Sequence, residues 1–313
     1  MLNSRNLLSN VVMAVLAVFA ARPVDARQPS NSAKAPVTTV ITVLGPNYAA
    51  PPALGKNDVI VRTGGGREDV IGWVLAQGDK SALALAILID DGTSLGPHLD
   101  ELRRFIQAQP KDTSVGLFYA SQGLTVAVAP FSADHDAVAK KLRLTLGAAG
   151  TSTSIYLSLI DVLKKLQPMA GRREVLLVGD GHDRLRGDLP ESPDLDRAID
   201  GALRTGIVIH TLYARVGHLG PTSFRLSLAQ GNLTQLAGET GGQAFFQGLD
   251  TPVSFTPFLD HLDMVLHNQY LLTFTTARST KTKGEFRKFK VTTEQRNVSI
   301  TAPSRVFVPG TRP

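Results

Sequence analysis

Residues 82–94 read ALALAILIDDGTS, an unbroken apolar run followed by two carboxylates and two hydroxyls. A continuous run of this length and composition is typical of a strand buried on both faces of a parallel sheet. In open sheets of that kind, ligands bind beyond the carboxyl ends of the strands. The run therefore predicts a central strand over Ala82–Ile89 and a candidate site that begins at Asp90.

Strand-type and helix-type segments alternate on the carboxyl side of this run. Further strands are predicted over Val115–Ala120, Leu124–Pro130, Glu174–Val178, Ile207–Ala214 and Gln243–Phe246. Helices are predicted over Pro97–Gln109, Asp134–Leu146, Ser154–Leu166, Asp194–Thr205, Leu226–Glu239 and Pro257–His267. This alternation favours a doubly wound, mainly parallel sheet with helices on both faces, which is an α/β fold.

Both ends of the chain are rich in β-branched residues instead. Strands are predicted over Val37–Leu44, Val59–Arg62, Val70–Leu75, Tyr270–Thr276, Phe286–Thr292 and Val298–Val308. The simplest arrangement places the α/β domain, residues 81–269, within or beside a small β-sandwich. That sandwich would be built from residues 37–80 and 270–309.

The first residues predict export. Val11–Ala21 is an apolar run of 11 residues, followed by small residues around Val24–Ala26, as in a secretory signal peptide. The run is short for the ~30 Å core of a membrane, although an uncleaved anchor stays open. We expect a signal peptide over residues 1–26, a flexible lead over 27–36, and a secreted or periplasmic protein without a transmembrane anchor after cleavage. The absence of Cys excludes disulfides, Cys-ligated metals and thiol chemistry.

Positive charge is concentrated near the carboxyl end. The chain has 33 basic and 27 acidic residues, a formal net charge of +6, and Arg278–Arg296 alone holds seven basic and two acidic residues. One interpretation is a solvated hairpin whose edges are protected by Lys. The other is a contact surface for an anionic surface, polysaccharide or nucleic acid. Nucleic acid is disfavoured, because only Phe286 and Phe289 could stack on bases.

Oxygen-bearing side chains follow two predicted buried strands. Asp90–Ser94 follows the first, and Gly179–Asp183 follows the strand over Glu174–Val178. Between them, Gly150–Ser154 opens a helix with several hydroxyls. Carboxylate and hydroxyl oxygens suit a hard divalent cation such as Mg²⁺.

The order of these segments resembles the von Willebrand factor A domain, in the form found in secreted bacterial proteins annotated VWFA-related. The likeness runs from about Thr38 to Pro309, with Leu54–Asp58 after the opening strand. Its strongest points are LAILIDDGTSL (85–95), GTSTSIYLSLIDVL (150–163), EVLLVGDGHD (174–183), TGGQAFF (240–246), NQYLLTF (268–274) and EFRKFKV (285–291).

This resemblance implies a metal-ion-dependent adhesion site, which uses Asp-x-Ser-x-Ser, a Thr and an Asp. Gly92 departs from the pattern by lacking a hydroxyl, Gly179 stands where Ser or Thr is usual, and Asp91 adds a carboxylate nearby. The implied cation is Mg²⁺, with Mn²⁺ and Ca²⁺ as alternatives. The implied role is adhesion or scaffolding through an unidentified protein partner at the cell envelope or outside the cell. The implied metal positions are Asp90, Gly92, Ser94, Thr153 and Asp180.

Two other functions stay open on the sequence. In a metal-free structural module, Asp90 and Asp180 would only cap loops and helix ends. In a serine hydrolase, Ser94 of Gly92–Gly96 would be the nucleophile, with Asp180 and His210 completing a triad and Gly64–Gly66 as an oxyanion loop. Against the hydrolase, the carboxylates after the first strand have the wrong charge for an oxyanion site, and His210 falls inside a predicted strand.

Overall fold

Two β-sheets organise the chain, one built from its middle and one from its two ends. The computed structural model describes residues 34–46, 51–146, 154–183, 192–216 and 223–310. The strands of these residues are β1 (Lys34–Leu44), β2 (Val59–Thr63), β3 (Gly66–Leu75), β4 (Leu83–Asp90), β5 (Thr113–Ser121), β6 (Leu124–Ser132), β7 (Arg172–Gly179), β8 (Val208–Tyr213), β9 (Ala244–Phe245), β10 (Gln269–Ala277), β11 (Glu285–Thr293), β12 (Ser299–Thr301) and β13 (Arg305–Val308).

The helices all belong to the middle of the chain. They are α1 (Leu99–Ala108), α2 (His135–Ala139), α3 (Ile155–Leu166), α4 (Pro193–Thr205), α5 (Ser223–Thr240) and α6 (Thr256–His267). The ends of α4 follow the usual chemistry: the Ser192 hydroxyl accepts the Leu195 N–H at 3.4 Å, Pro193 occupies the first turn, and Gly206 ends the helix with φ +65°. The predicted α/β fold is confirmed.

The six-stranded sheet has the order β6-β5-β4-β7-β8-β9, and every neighbouring pair is parallel except β5–β6. All eight residues of β4 are buried, because α1, α2 and α6 cover one face of the sheet and α3, α4 and α5 cover the other. The chain starts in the centre at β4, runs outward through β5 and β6, and returns to β7 on the other side of β4. The strand order therefore reverses between β4 and β7, which is the switch point where open sheets leave a crevice.

The seven-stranded sheet has the order β12-β1-β10-β3-β2-β11-β13 and is antiparallel. It curls, so that β13 contacts β1 and β12 contacts β11. Its concave side encloses a core of its own, in which Trp73 stacks on Tyr270 with ring centroids 4.4 Å apart. The Trp73 indole N–H donates to the Leu54 carbonyl at 2.9 Å, which satisfies its one polar group.

The helix predicted over Asp134–Leu146 is wrong beyond its first turns, since α2 ends at Ala139. The reason is a tertiary contact that overrides helix propensity. The Tyr119 hydroxyl accepts the Arg143 N–H at 3.1 Å and donates to the Arg143 carbonyl at 2.9 Å. This pair of bonds holds the backbone of Arg143 in a non-helical path next to β5.

Three predictions about the seven-stranded sheet need correction. β1 begins at Lys34 rather than Val37, because residues 34–36 pair with β10. The single strand predicted over Val298–Val308 is two strands, separated at Pro303, which has no N–H to donate to a ladder. The basic hairpin does not form: β11 pairs with β2 and β13, and β10 pairs with β1 and β3.

The predicted signal peptide and most of the predicted lead, residues 27–33, lie outside the described residues. In the part of the chain that the structure describes, no helix is both long and apolar enough to cross a membrane.

Candidate functional site

The candidate site lies at the carboxyl ends of β4 and β7, on either side of the switch point. Ile89 is in register with Val178, so Asp90 and Asp180 end neighbouring parallel strands. Their exposed fractions are 0% and 2%. A Cβ built on Gly179 would lie 3.1 Å from the Cβ of Asp90, which shows how closely the Asp90 side chain packs on the end of β7. Folding thus brings two buried carboxylates to the place where a ligand is expected.

Each carboxylate shapes its own loop. Oδ1 of Asp90 accepts the Gly92 N–H at 2.9 Å, and Oδ1 of Asp180 accepts the His182 N–H at 3.0 Å. Asp side chains often hold turns by bonding the backbone two residues on. The loop after β7 is fixed further by the Tyr156 hydroxyl, which donates to the Gly181 carbonyl at 2.7 Å. Burial, together with nearby Asp180, raises the pKa of Tyr156, so its hydroxyl remains a donor.

Ser94 lies at the open side of this loop. Thr93 forms an isolated β-bridge with Val216, and the Ser94 N–H donates to the Arg215 carbonyl at 3.4 Å. The Thr93 hydroxyl donates to the Asp90 carbonyl at 2.7 Å. These bonds hold the loop against the segment after β8, while Ser94 itself is exposed. The Ser94 hydroxyl is therefore accessible at the edge of the crevice.

Asp91 does not compensate for the hydroxyl that Gly92 lacks. Both of its oxygens accept from Arg143, at 2.8 and 2.9 Å, and Oδ1 also accepts the Leu146 N–H at 3.0 Å. The Arg143 guanidinium in turn lies over the Tyr119 ring, 4.0 Å from its centroid. A bidentate Arg pair of this kind neutralises the carboxylate and fixes its orientation. Asp91 thus anchors the segment after α2.

The two glycine departures have a steric reason in this chain. A Cβ on Gly92 would lie 3.2 Å from Cγ1 of Val216 and 3.3 Å from Oδ1 of Asp90. A Cβ on Gly179 would lie 2.7 Å from Cδ1 of Ile155. Apolar side chains thus occupy the space that extra side chains would need. Thr153 lies outside the described residues, and its neighbour Ser154 is buried and caps α3.

The structure does not assemble the triad of Ser94, Asp180 and His210. Nε2 of His210 lies 2.8 Å from Oε2 of Glu174, and Nδ1 accepts the Gln243 N–H at 3.1 Å. Both ring nitrogens are therefore used inside the core, where His210 has no exposed surface. Gly64–Gly66 forms the β2–β3 turn of the other sheet. The His210 ring is therefore not available to Ser94 as a general base.

The switch point offers only a small set of side chains that could bind a divalent cation. Among the residues that the structure describes, no three acidic or histidine side chains converge as metal ligands. Mg²⁺ usually keeps several waters and is held by only one or two carboxylates. Asp90 and Asp180, with Ser94 exposed on the loop after β4, fit that limited requirement.

Sequence reasoning missed Arg143 as part of this region. The pair between Asp91 and Arg143 spans 52 positions in the sequence, and Arg143 falls in a segment whose pattern favours a helix. Only the observation that Asp91 immediately follows a buried strand could have indicated that it needs a cationic partner.

Comparison with known proteins yields similar folds at low sequence identity. No protein-family model matches the chain, and no curated protein matches it. An aerotolerance-related membrane protein from Bacteroides fragilis, solved with multiple mutations to serines, is 13% identical with a TM-score of 0.43, over 59% of this chain and 98% of that one. The ArnB paralog VWA2 from Sulfolobus acidocaldarius is 10% identical with a TM-score of 0.40, over 89% and 76%. The SpRpn10 VWA domain is 12% identical with a TM-score of 0.37, over 59% and 94%.

These likenesses concern the fold alone, and neither a partner nor an activity follows from them. The strand order, the helices on both faces and the two carboxylates at the switch point are properties of this chain itself. The described part of the chain has a doubly wound, mainly parallel α/β fold joined to a curled antiparallel sheet, which is the architecture that the sequence resemblance to von Willebrand factor A domains implies.

Proposed function

We propose that the chain is an exported interaction or scaffolding module that binds a protein partner at the carboxyl edge of its six-stranded sheet. The observation that carries this proposal is the position of Asp90 and Asp180 at the switch point between β4 and β7. That crevice is where a sheet of this order accommodates a ligand.

The surroundings of the crevice support a protein as the ligand. Four large apolar side chains are exposed in this part of the fold: Leu124 follows β5, Phe224 lies in the first turn of α5, and Leu144 and Leu146 follow α2 in the segment that Asp91 anchors. Exposed apolar patches are typical of protein interaction sites. The exposed fractions are 69% for Leu124, 64% for Leu144, 71% for Leu146 and 75% for Phe224.

A divalent cation, Mg²⁺ or alternatively Mn²⁺ or Ca²⁺, is the finer part of the proposal. Asp90 and Asp180 would hold it, with hydroxyls of Ser94 and Thr153 on the same side and waters in the remaining positions. When bound, the cation would offer an open coordination position to a carboxylate of the partner. The residues of this chain supply the rest: two buried carboxylates, oriented by backbone N–H groups of their own loops.

Direct titration tests the cation. The chelator-treated full chain would be titrated with Mn²⁺ and binding followed by electron paramagnetic resonance, for wild type and for Asp90→Asn. Asp161→Asn is the matched control, because Asp161 is a half-exposed carboxylate paired with Lys165 on the surface of α3. One site in wild type and in the control, and about tenfold weaker binding in Asp90→Asn, is expected from the loss of a charged ligand. Equal binding by all three proteins would contradict the site.

The interaction role has its own test. Asp90→Ala should reduce binding of an envelope partner more than it reduces the stability of the chain. If the folded variant binds the partner as tightly as wild type does, the crevice is not the contact face. A partner bound equally with and without chelator would instead support a metal-free module.

A further inference from the structure

Four basic side chains form a stripe on the exposed face of the curled sheet. Lys290 of β11 lies opposite Arg62 of β2, and Arg62 lies opposite Arg67 of β3. Lys288 lies two residues before Lys290, on the same face of β11. All four side chains are exposed. We call Arg62, Arg67, Lys288 and Lys290 the basic stripe.

The core beneath the basic stripe determines which way the side chains of the stripe point. Val61, Phe289 and Val291 point into the curl, where they are at most 7% exposed. Because side chains alternate along a strand, Arg62, Lys288 and Lys290 point the opposite way. Neighbouring strands lie about 4.8 Å apart, so three positive charges follow one another across β11, β2 and β3. The stripe therefore crosses the strands at right angles on a convex surface.

The stripe has little internal compensation, although Arg67 lines a cavity together with Asp58 and Glu294. Within the described residues, no ion pair or side-chain hydrogen bond involves any member of the stripe, whereas Arg287, Lys281 and Arg305 all contact acidic residues. Like charges placed directly opposite each other destabilise a sheet. Asp69, which lies on β3 beyond Arg67, is paired with Lys34 at 2.6 Å, and the charge of Arg67 adds to that of Lys34 in lowering the pKa of Asp69. The directly opposed charges of Arg62 and Lys290 are thus a cost to the fold that a bound anion would offset.

We infer that the basic stripe is a docking surface for a linear anionic polysaccharide. Charge complementarity with a row of cations favours a chain that carries regularly repeated carboxylates along its length. A flat bilayer fits less well, because the surface is convex and the stripe contains no large apolar side chain to enter a membrane. Single-stranded nucleic acid fits less well, because no aromatic side chain belongs to the stripe for bases to stack on.

The structure also relocates the surface predicted from the sequence. Arg278–Arg296 contributes only Lys288 and Lys290, and Arg287 is occupied by Glu285 and by the carbonyl of Ala277. Arg62 and Arg67 come from a distant part of the chain and join the stripe only because β2 lies between β3 and β11. This surface is independent of the carboxyl edge of the other sheet, so it can exist whether or not that edge binds a partner.

Binding to polygalacturonate tests the inference. The full chain would be flowed over immobilised polygalacturonate in about 50 mM and about 150 mM NaCl, because screening shortens the range of exposed charges to ~8 Å at the higher salt. The variant is Arg62→Thr with Lys290→Thr. Its matched control is Lys140→Thr with Lys141→Thr, which removes the same charge from exposed positions after α2.

Wild type and the control should bind equally, more weakly at the higher salt, and the stripe variant should bind at least about tenfold more weakly. The melting temperature of the stripe variant should equal or exceed that of wild type, which separates lost binding from lost folding. Equal weakening in the control would overturn the inference, because binding would then depend on the net charge of the chain and not on the basic stripe. So would failure of wild type to bind polygalacturonate, including the case in which it binds anionic vesicles or an oligonucleotide instead.

Discussion

The two ends of the six-stranded sheet both bury charged groups, but they satisfy them differently. At the amino end, Glu174 accepts from His210 at 2.8 Å and from Gln269 at 3.2 Å, and its other oxygen lies 3.7 Å from Arg172. At the carboxyl end, Asp90 and Asp180 accept backbone N–H groups of their own loops. The contacts of Glu174 join separate elements, whereas the backbone contacts of Asp90 and Asp180 shape the loops that follow β4 and β7.

The amino-end network also joins the two sheets. Arg172 donates to the carbonyls of Leu266 and Ser81, each at 2.8 Å, and to the side chain of Gln269. Gln269 begins β10 of the curled sheet, and Ser81 precedes β4. Although burial alone would raise the pKa of Glu174, the hydrogen bonds from His210 and Gln269 and the charge of Arg172 lower it. The carboxylate is therefore a fixed structural charge.

Glu174→Ala should give the largest effect on stability. It leaves Arg172 buried without its carboxylate, and loss of one partner of a buried pair costs about 3–5 kcal/mol. Urea unfolding at neutral pH measures the change in the free energy of unfolding. Asp100→Ala is the control, because Asp100 is 76% exposed in its pair with Arg103 and such pairs contribute about 0–1 kcal/mol. A similar small loss for both variants would mean that the network is not structural.

Glu101→Gln should have the next largest effect, since Glu101 is a structural acid near the carboxyl edge. Burial would raise the pKa of Glu101, but hydrogen bonds from Thr256, Ser254 and His98 outweigh it and lower the pKa to about 2. Replacing the charged acceptor should cost about 1–3 kcal/mol at pH 7. The bonds of Ser254 and Thr256 to Glu101 hold the start of α6.

The contribution of Glu101 to the free energy of unfolding depends on pH. Since the pKa of Glu101 is lower in the folded chain than the ordinary value of 4.5, its stabilisation is complete above pH 4.5 and is lost as the pH falls toward 2. Unfolding of wild type and Glu101→Gln at pH 6, 4 and 3 should show the difference between them shrinking. A difference that does not change with pH would exclude the charge of Glu101 as its source.

Gly92→Ser combined with Val216→Ala should strengthen cation binding at the carboxyl edge of the six-stranded sheet. The added hydroxyl would lie beside Oδ1 of Asp90, and the smaller Ala removes the 3.2 Å contact with Cγ1 of Val216. Mn²⁺ affinity should rise about tenfold, equivalent to roughly 1.4 kcal/mol. Val216→Ala alone controls for loosened packing. No gain over that single variant would mean that position 92 does not face the cation.

Asp90→Asn should change stability least. The amide oxygen can still accept the Gly92 N–H, and the amide keeps the size and shape of the carboxylate. The free energy of unfolding in metal-free buffer should stay within about 1 kcal/mol of wild type. A loss as large as that for Glu174→Ala would show that Asp90 is structural after all, and the distinction between the two ends of the sheet would fail.

Much of this architecture can be predicted from local sequence, and the exceptions depend on distant residues. The run over Ala82–Ile89 indicates the central strand because a strand that is buried on both faces needs an apolar residue at every position. Ser192 and Gly206 mark the ends of α4 because their capping chemistry is local. The path of Arg143 depends on Tyr119 and Asp91, which no pattern around Arg143 reveals.

The candidate site likewise combines features that can be predicted from local sequence with features that depend on distant residues. That Asp90 and Asp180 end buried strands can be read from the sequence, but their adjacency depends on the order β4–β7. The role of His210 in the core depends on Glu174 and Gln243, and this removes it from any catalytic triad. Pairing of strands that are far apart in sequence likewise creates the basic stripe from Arg62, Arg67 and Lys290, which local charge counting cannot find.

The melting temperature of the chelator-treated full chain, with and without millimolar Mg²⁺, tests the central claim most directly when wild type and Asp90→Asn are compared. A cation that binds only the folded chain at 100 times its Kd adds about 2.7 kcal/mol to the free energy of unfolding, which raises the melting temperature by several degrees. The account predicts that rise in wild type and its absence in Asp90→Asn. No rise in wild type, or an equal rise in both proteins, would contradict a cation site at Asp90 and Asp180.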